Sequence, residues 1–114
     1  MRPCVIIPHY RHERQIGGVL SALEPLGIPT IVVDDGSPPA SVEVLRALLA
    51  SLPHATLSLA ATNQGKGAAV LRGLAMARSL GYSHAVQVDA DGAQRVFHVF
   101  ELIVADDRLD LLHN

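Results

Sequence analysis

Two apolar runs in this chain end in carboxylates and a glycine turn: Ile31-Val32-Val33-Asp34-Asp35-Gly36-Ser37 and Ala85-Val86-Gln87-Val88-Asp89-Ala90-Asp91-Gly92. Each reads as a buried strand that stops at its acids. A lone charge is too costly to leave in a core. These carboxylates are therefore expected to project into a crevice at the carboxyl edge of a sheet, where open α/β sheets bind ligands. Asp89 and Asp91 flank one small residue, so their oxygens can converge on one hard cation, Mg²⁺ or Mn²⁺, which can in turn hold phosphates. An isolated Asp-X-Asp is more often a turn than a metal site, so the reading depends on its company. An EF-hand is excluded, because counting from Asp89 its obligatory glycine and glutamate would fall on Gln94 and Phe100.

A third segment, Asn63-Gln64-Gly65-Lys66-Gly67, precedes a helix-like stretch. Its glycines allow a ligand close to the backbone. A helix N-terminus attracts phosphate, and Lys66 adds a point charge. It is not a Walker A loop: Ala60 stands where the first glycine belongs, and Ala68 where the lysine belongs. The histidines His9, His12, His54, His84, His98 and His113 are scattered, with no helical pair to hold a transition metal. They read as solvated or core residues. Ser37 and Ser41 have no sequence-level partners for a catalytic triad.

The elements that must position these groups follow from periodicity. Cys4 to Ile7 is a short apolar run closed by Pro8, the first strand. Ile16, Val19, Leu20 and Leu23 share one helical face. Glu13 is placed in that helix's first turn, and Pro25 and Gly27 at its end. Thr30 to Val33 is the second strand. Ser41 is taken as the cap of a helix carrying Val44, Leu45, Leu48, Leu49 and Leu52. Pro53 stops it. Ala55, Leu57 and Leu59 alternate with polar residues as a third strand. A helix from about Ala68 to Leu80 ends at Gly81, a left-handed cap. His84 to Val88 is the fourth strand. The order βαβαβαβ implies an α/β fold with a mostly parallel, Rossmann-like sheet flanked by helices.

Composition narrows the class. The chain has 114 residues, 49% of them hydrophobic, and a formal charge of −2. That length suits one small domain with a folded core. With no basic run, a phosphate-tracking nucleic-acid surface is not expected. The single cysteine, Cys4, sits in the first apolar run and reads as a reduced core thiol. Met1-Arg2-Pro3 does not resemble a signal peptide, and no apolar stretch is long enough to span a bilayer. The expected location is cytoplasmic, including a place at a membrane surface beside a lipid-linked partner.

Taken together and in this order, Pro8-His9-Tyr10, Val33-Asp34-Asp35-Gly36-Ser37, Asn63-Gln64-Gly65-Lys66-Gly67 and Asp89-Ala90-Asp91-Gly92 resemble family 2 glycosyltransferases, whose fold is called GT-A. The nearest flavour is the dolichol-phosphate-mannose-synthase-like branch. The resemblance covers roughly Cys4 to Gly92. It implies a nucleotide-diphosphate-sugar donor, with metal-assisted, inverting transfer of the sugar to an acceptor. It assigns Asp89 and Asp91 to the metal and its diphosphate, Asp89 also to the ribose. Asp35 reads the base while Asp34 braces the loop, and Pro8 and Tyr10 line the base pocket. Gly65 and Lys66 lie near the nucleotide. The family commonly has Asn and Glu after the Tyr; here Arg11 and His12 stand instead, so the acidic contact does not carry over unless Glu13 supplies it.

After Gly92 the resemblance fades. Val96, Phe100 and Ile103 allow an amphipathic helix, while Val96 to Phe100 also allows a strand. Residues 1–92 are read as the nucleotide-sugar-binding half of a GT-A domain, and 93–114 as a divergent C-terminal segment of the same domain. Family enzymes are longer, and their further half supplies the acceptor site and catalytic base. Truncation and a frame change near Gly92 both account for this. The chain alone is therefore expected to bind donor without transferring sugar. It is also expected to be marginally stable, or to self-associate along the boundary beside the fourth strand. Two rival readings are a non-catalytic nucleotide-binding module and another Rossmann-like nucleotide enzyme. The latter would carry a glycine-rich fingerprint where Pro8-His9-Tyr10-Arg11 stands.

Overall fold

Strand β1 (Pro3–His9) is buried along all but its first residue, and β2 (Thr30–Asp34) along its whole length. Strands covered on both faces are apolar without alternation, because neither face meets water. The computed structural model describes residues 1–92, 98–105 and 108–113 of the chain. Between β1 and β2 lie helix α1 (Ile16–Leu23) and a short 3₁₀ turn at Glu24–Leu26, closed by Gly27 in the left-handed region. Then follow α2 (Pro39–Leu49), β3 (Ala55–Leu59), α3 (Lys66–Ser79), β4 (His84–Gln87), β5 (His98–Ala105) and β6 (Arg108–His113).

The strands form one sheet in the order β3-β2-β1-β4-β5-β6. β1 pairs in parallel with β2 on one side and β4 on the other, β3 is parallel to β2, and β5 and β6 are antiparallel. Successive residues of β1 serve opposite faces. Cys4 and Ile6 pack with Ile31, Val33, Leu74 and Ala77 on the α3 side. Val5 and Ile7 pack with Ile16, Leu20, Val32 and Leu45 on the side of α1 and α2. The chain runs outward from β1 to β2 and β3, then returns over the opposite face to β4. That reversal opens a crevice at the carboxyl ends of β1 and β4. The fold is thus the mostly parallel α/β architecture expected from the sequence.

Helix α3 lies close to the sheet because its inner face is small: Ala69, Gly73 and Ala77 are buried. A methyl group built on Gly73 would sit 2.7 Å from Ile6 Cγ2 and 3.0 Å from Val33 Cγ2. Overpacking costs about 1–3 kcal/mol, and the better helix propensity of alanine returns less than about 1 kcal/mol. Gly73→Ala is therefore expected to lower stability by about 1–2 kcal/mol, read as a lower urea midpoint at constant slope. An unchanged midpoint would mean that α3 can lift without penalty. Cys4 is fully buried, and burial pushes its thiol up to about 11, which makes it a packing residue and an inert nucleophile.

Two sequence expectations change, and one left open is decided. Ser41 does not cap α2; Pro38 occupies that position, and the buried Ser41 hydroxyl donates to Glu13 Oε2 at 2.9 Å. Glu13 lies in the turn before α1, not in its first turn. The segment left open between helix and strand contains β5, whose Ala85↔Phe100 and Val86↔Val99 pairs cover the side of β4 whose cover depended on that segment. Val96 lies outside the described residues. Among the described residues, no helix is long and apolar enough to cross a membrane.

Candidate functional site

The last residue of β2, Asp34, is completely buried. Its Oδ1 accepts hydrogen bonds from His9 Nδ1 at 2.8 Å and from the Ser37 hydroxyl at 2.6 Å. Its Oδ2 accepts from the Ser37 backbone N–H at 2.9 Å. The parallel register places His9 directly beside Asp34. His9 Nε2 accepts from the His12 backbone N–H at 3.1 Å. That bond assigns the ring proton to Nδ1, where it points at Asp34. Ser37 Oγ also accepts from the backbone N–H of Arg11, which sits at φ 59°. Asp34 thus welds the turn after β1 to the turn after β2.

Asp35 faces the other way and ties down the third loop. Its Oδ1 accepts from the Gln64 N–H at 2.9 Å and its Oδ2 from the Gly65 N–H at 2.8 Å, while Asn63 Nδ2 donates to its carbonyl at 3.2 Å. This approach requires glycine at 36. Its φ is +78°, and a Cβ there would meet Asn63 N and the Thr62 carbonyl carbon at 2.4 Å. Gly65, at φ 103°, then turns the chain into α3, so that Lys66 is the first helical residue. Lys66 Nζ lies 2.6 Å from Asp89 Oδ1. The start of α3 and the turn after β4 are joined by that ion pair.

These turns enclose a cleft of about 290 Å³. Pro8, Tyr10, Asp35, Gly65, Lys66, Asp89 and Asp91 all line it. These seven residues reach one cavity from four separate stretches of chain. Asp34 is not in the lining; it braces, as expected. Asp35 lines the cleft and also braces, because both its carboxylate oxygens hold the 63–65 loop. Glu13 does not line the cleft. Its own backbone N–H, and then the Ser41 hydroxyl, hold its carboxyl below the usual carboxylate range.

Of the other lining residues, His9, Asn63 and Ala90 lie inside the motifs read from the sequence but had no role of their own, and His12 and Ala69 had no site role at all. For His9 a signal existed: a histidine ending one parallel strand beside an aspartate ending its neighbour. Among the described residues, no group of three or more His, Cys, Asp or Glu side chains could hold a metal ion. Asp89 and Asp91 offer hard oxygen donors at the cleft, a partial set. Mg²⁺-type sites are commonly of this kind, with one or two carboxylates and the substrate's phosphates completing the shell. The donor chemistry fits such an ion.

The family model described as Glycosyl transferase family 2 matches residues 4–93. Among solved structures, the chain is similar to the mannosyltransferase PcManGT from Pyrobaculum calidifontis, determined in complex with GDP-Man and Mn²⁺. The match has a TM-score of 0.67 and 25% sequence identity, and covers 79% of this chain and 27% of that one. The present chain thus spans far less than the full length of that enzyme. A comparison with curated proteins finds no match.

Proposed function

This chain belongs to glycosyl transferase family 2, and from that premise we propose that its cleft binds the nucleoside-diphosphate end of a nucleotide-sugar for transfer of the sugar to an acceptor. The observation that carries this reading is the convergence of Pro8, Tyr10, Asp35, Gly65, Lys66, Asp89 and Asp91 on one cavity. The nucleobase packs against Pro8 and Tyr10. Asp35 accepts from a base N–H with the lone pairs its backbone bonds leave over. The diphosphate lies at the start of α3, where first-turn amides lack intrahelical partners. Asp89 and Asp91 would hold a divalent ion, Mn²⁺ or Mg²⁺, which when bound neutralises charge on the leaving diphosphate. Inverting transfer then needs an acceptor hydroxyl on the opposite face of the sugar. We assign no described residue as its base.

The finer reading is a mannosyl donor and a lipid-linked acceptor, as in the dolichol-phosphate-mannose-synthase-like branch. The GDP-Man complex of the similar mannosyltransferase supports the mannosyl donor; the lipid-linked acceptor rests on the resemblance of the four motifs alone. Calorimetry with GDP and UDP, with and without Mn²⁺, tests the site. Asp91→Asn is expected to weaken Mn²⁺-dependent binding by about tenfold or more, since it removes one of the two carboxylate ligands, while leaving the fold intact. Asp91 is exposed, so loss of fold is not expected to confuse the result. Equal binding with and without Mn²⁺, in both proteins, would remove the metal from this reading.

A further inference from the structure

Lys66 is an unusual choice for its position. The N-terminal end of a helix carries partial positive charge and favours acids, yet the first turn of α3 has none and begins with this lysine. Its side chain is more than half exposed, and its ammonium makes a 2.6 Å ion pair with Asp89 Oδ1, whose side chain is only 22% exposed. Asp89 is also one of the two carboxylates proposed to hold the divalent ion. A lysine ammonium and a dication cannot share one carboxylate oxygen without strong like-charge repulsion. The same ammonium lies at the helix end where the diphosphate is proposed to bind, within reach of a second anion.

We propose that Lys66 is a placeholder cation for Asp89, releasing the carboxylate to the donor's metal as its ammonium moves onto the diphosphate. This rests on the donor-binding reading above and adds an order to it. Metal alone binds weakly, because it must evict Lys66. Metal with nucleoside diphosphate binds well, because the diphosphate gives the evicted ammonium a new partner. The two ligands are therefore positively coupled, and by linkage each raises the other's affinity by the same factor. The arrangement keeps a free divalent ion from occupying the carboxylates ahead of the donor. Lys66 acts here as a positioning residue that works through Asp89.

The test follows free Mn²⁺ by its paramagnetic resonance signal, with and without saturating GDP, in wild type, Lys66→Met and Lys66→Arg. Lys66→Met keeps the length of the stem and removes the charge. It is expected to bind Mn²⁺ alone about threefold to tenfold more tightly than wild type, the effect of deleting one partly exposed competing charge. The ratio of Mn²⁺ affinities with and without GDP should fall by a similar factor or more. Lys66→Arg keeps the charge and should restore weak metal-alone binding. A merely structural lysine would not tighten metal binding on removal, nor would arginine reverse it. If wild type binds GDP with Mn²⁺ but Lys66→Met binds Mn²⁺ alone no better than wild type, the placeholder role is overturned and the donor site stands. If wild type binds GDP equally with and without Mn²⁺, the placeholder role falls together with the metal while the donor site stands; if it binds neither GDP nor UDP, the donor site falls as well. Should Lys66→Met fail to give a cooperative melt, Lys66→Gln replaces it in the same comparison, with the same two outcomes.

Discussion

Asp34→Ala is expected to cost about 3–5 kcal/mol of folding stability, because it strands three donors at roughly 1–3 kcal/mol for each that is buried. The cost arises from what is left behind. The His9 Nδ1–H, the Ser37 N–H and the Ser37 hydroxyl would all lose their acceptor, and His9 is almost fully buried. Unmade buried hydrogen bonds of this kind carry the full desolvation penalty of each donor. Asp34→Asn retains an acceptor oxygen and is expected to recover part of the loss. Urea denaturation of the three proteins measures the effect. A loss under about 1 kcal/mol for the alanine variant would show that water can replace the carboxylate, and that Asp34 does not weld the two turns.

The second large effect is at Gly36. A Cβ here would meet backbone atoms of Thr62 and Asn63 at 2.4 Å, and backbone cannot rotate away as a side chain can. The positive φ adds about 1–2 kcal/mol for a non-glycine residue. Gly36→Ala is expected to destabilise by about 3 kcal/mol in total, from strain and overpacking together. It should also weaken nucleoside-diphosphate binding by about tenfold or more, because the displaced loop carries Gly65 and Lys66 away from Asp35. Gly27→Ala is the internal control. Gly27 has φ +64°, but nothing lies within 4 Å of the point where an alanine methyl would stand, so only the conformational cost of about 1 kcal/mol applies. Equal losses at the two glycines would refute the close approach.

The strands that carry the site were legible because a strand buried on both faces leaves an uninterrupted apolar run, and the acids at its end mark where burial stops. The convergence of Asp35, Lys66 and Asp89 was foreseeable only through motif order. Nothing local in Ile31 to Ser37 says which of the two aspartates turns inward. That depends on His9 lying opposite Asp34, a fact of strand register. Gly73 gave no warning either, since an interior helical glycine reads as a weak spot until Ile6 and Val33 are seen against it. β5 was ambiguous because its pattern suited either period; pairing with β4 decides it. The Lys66–Asp89 pair joins the start of α3 to the turn after β4, and no spacing rule predicts it.

The position of β4 next to β1 has a consequence for how the molecule comes into being. β1 lies far ahead of β4 in the sequence, yet one of its two edges is completed by Val86 pairing with Val5. Contacts that far apart in sequence are made late, because loop closure must precede any return from them. During synthesis β1, β2 and β3 can associate as soon as they emerge, and with them the Asp34 and Asp35 turns. One flank of β1 then stays open until the segment carrying Asp89 is released. The cleft is therefore completed only when β4 docks, and a nascent chain holds no donor before that. The waiting edge of β1 is the place where a folding chaperone, or a strand from another nascent copy, would compete for it.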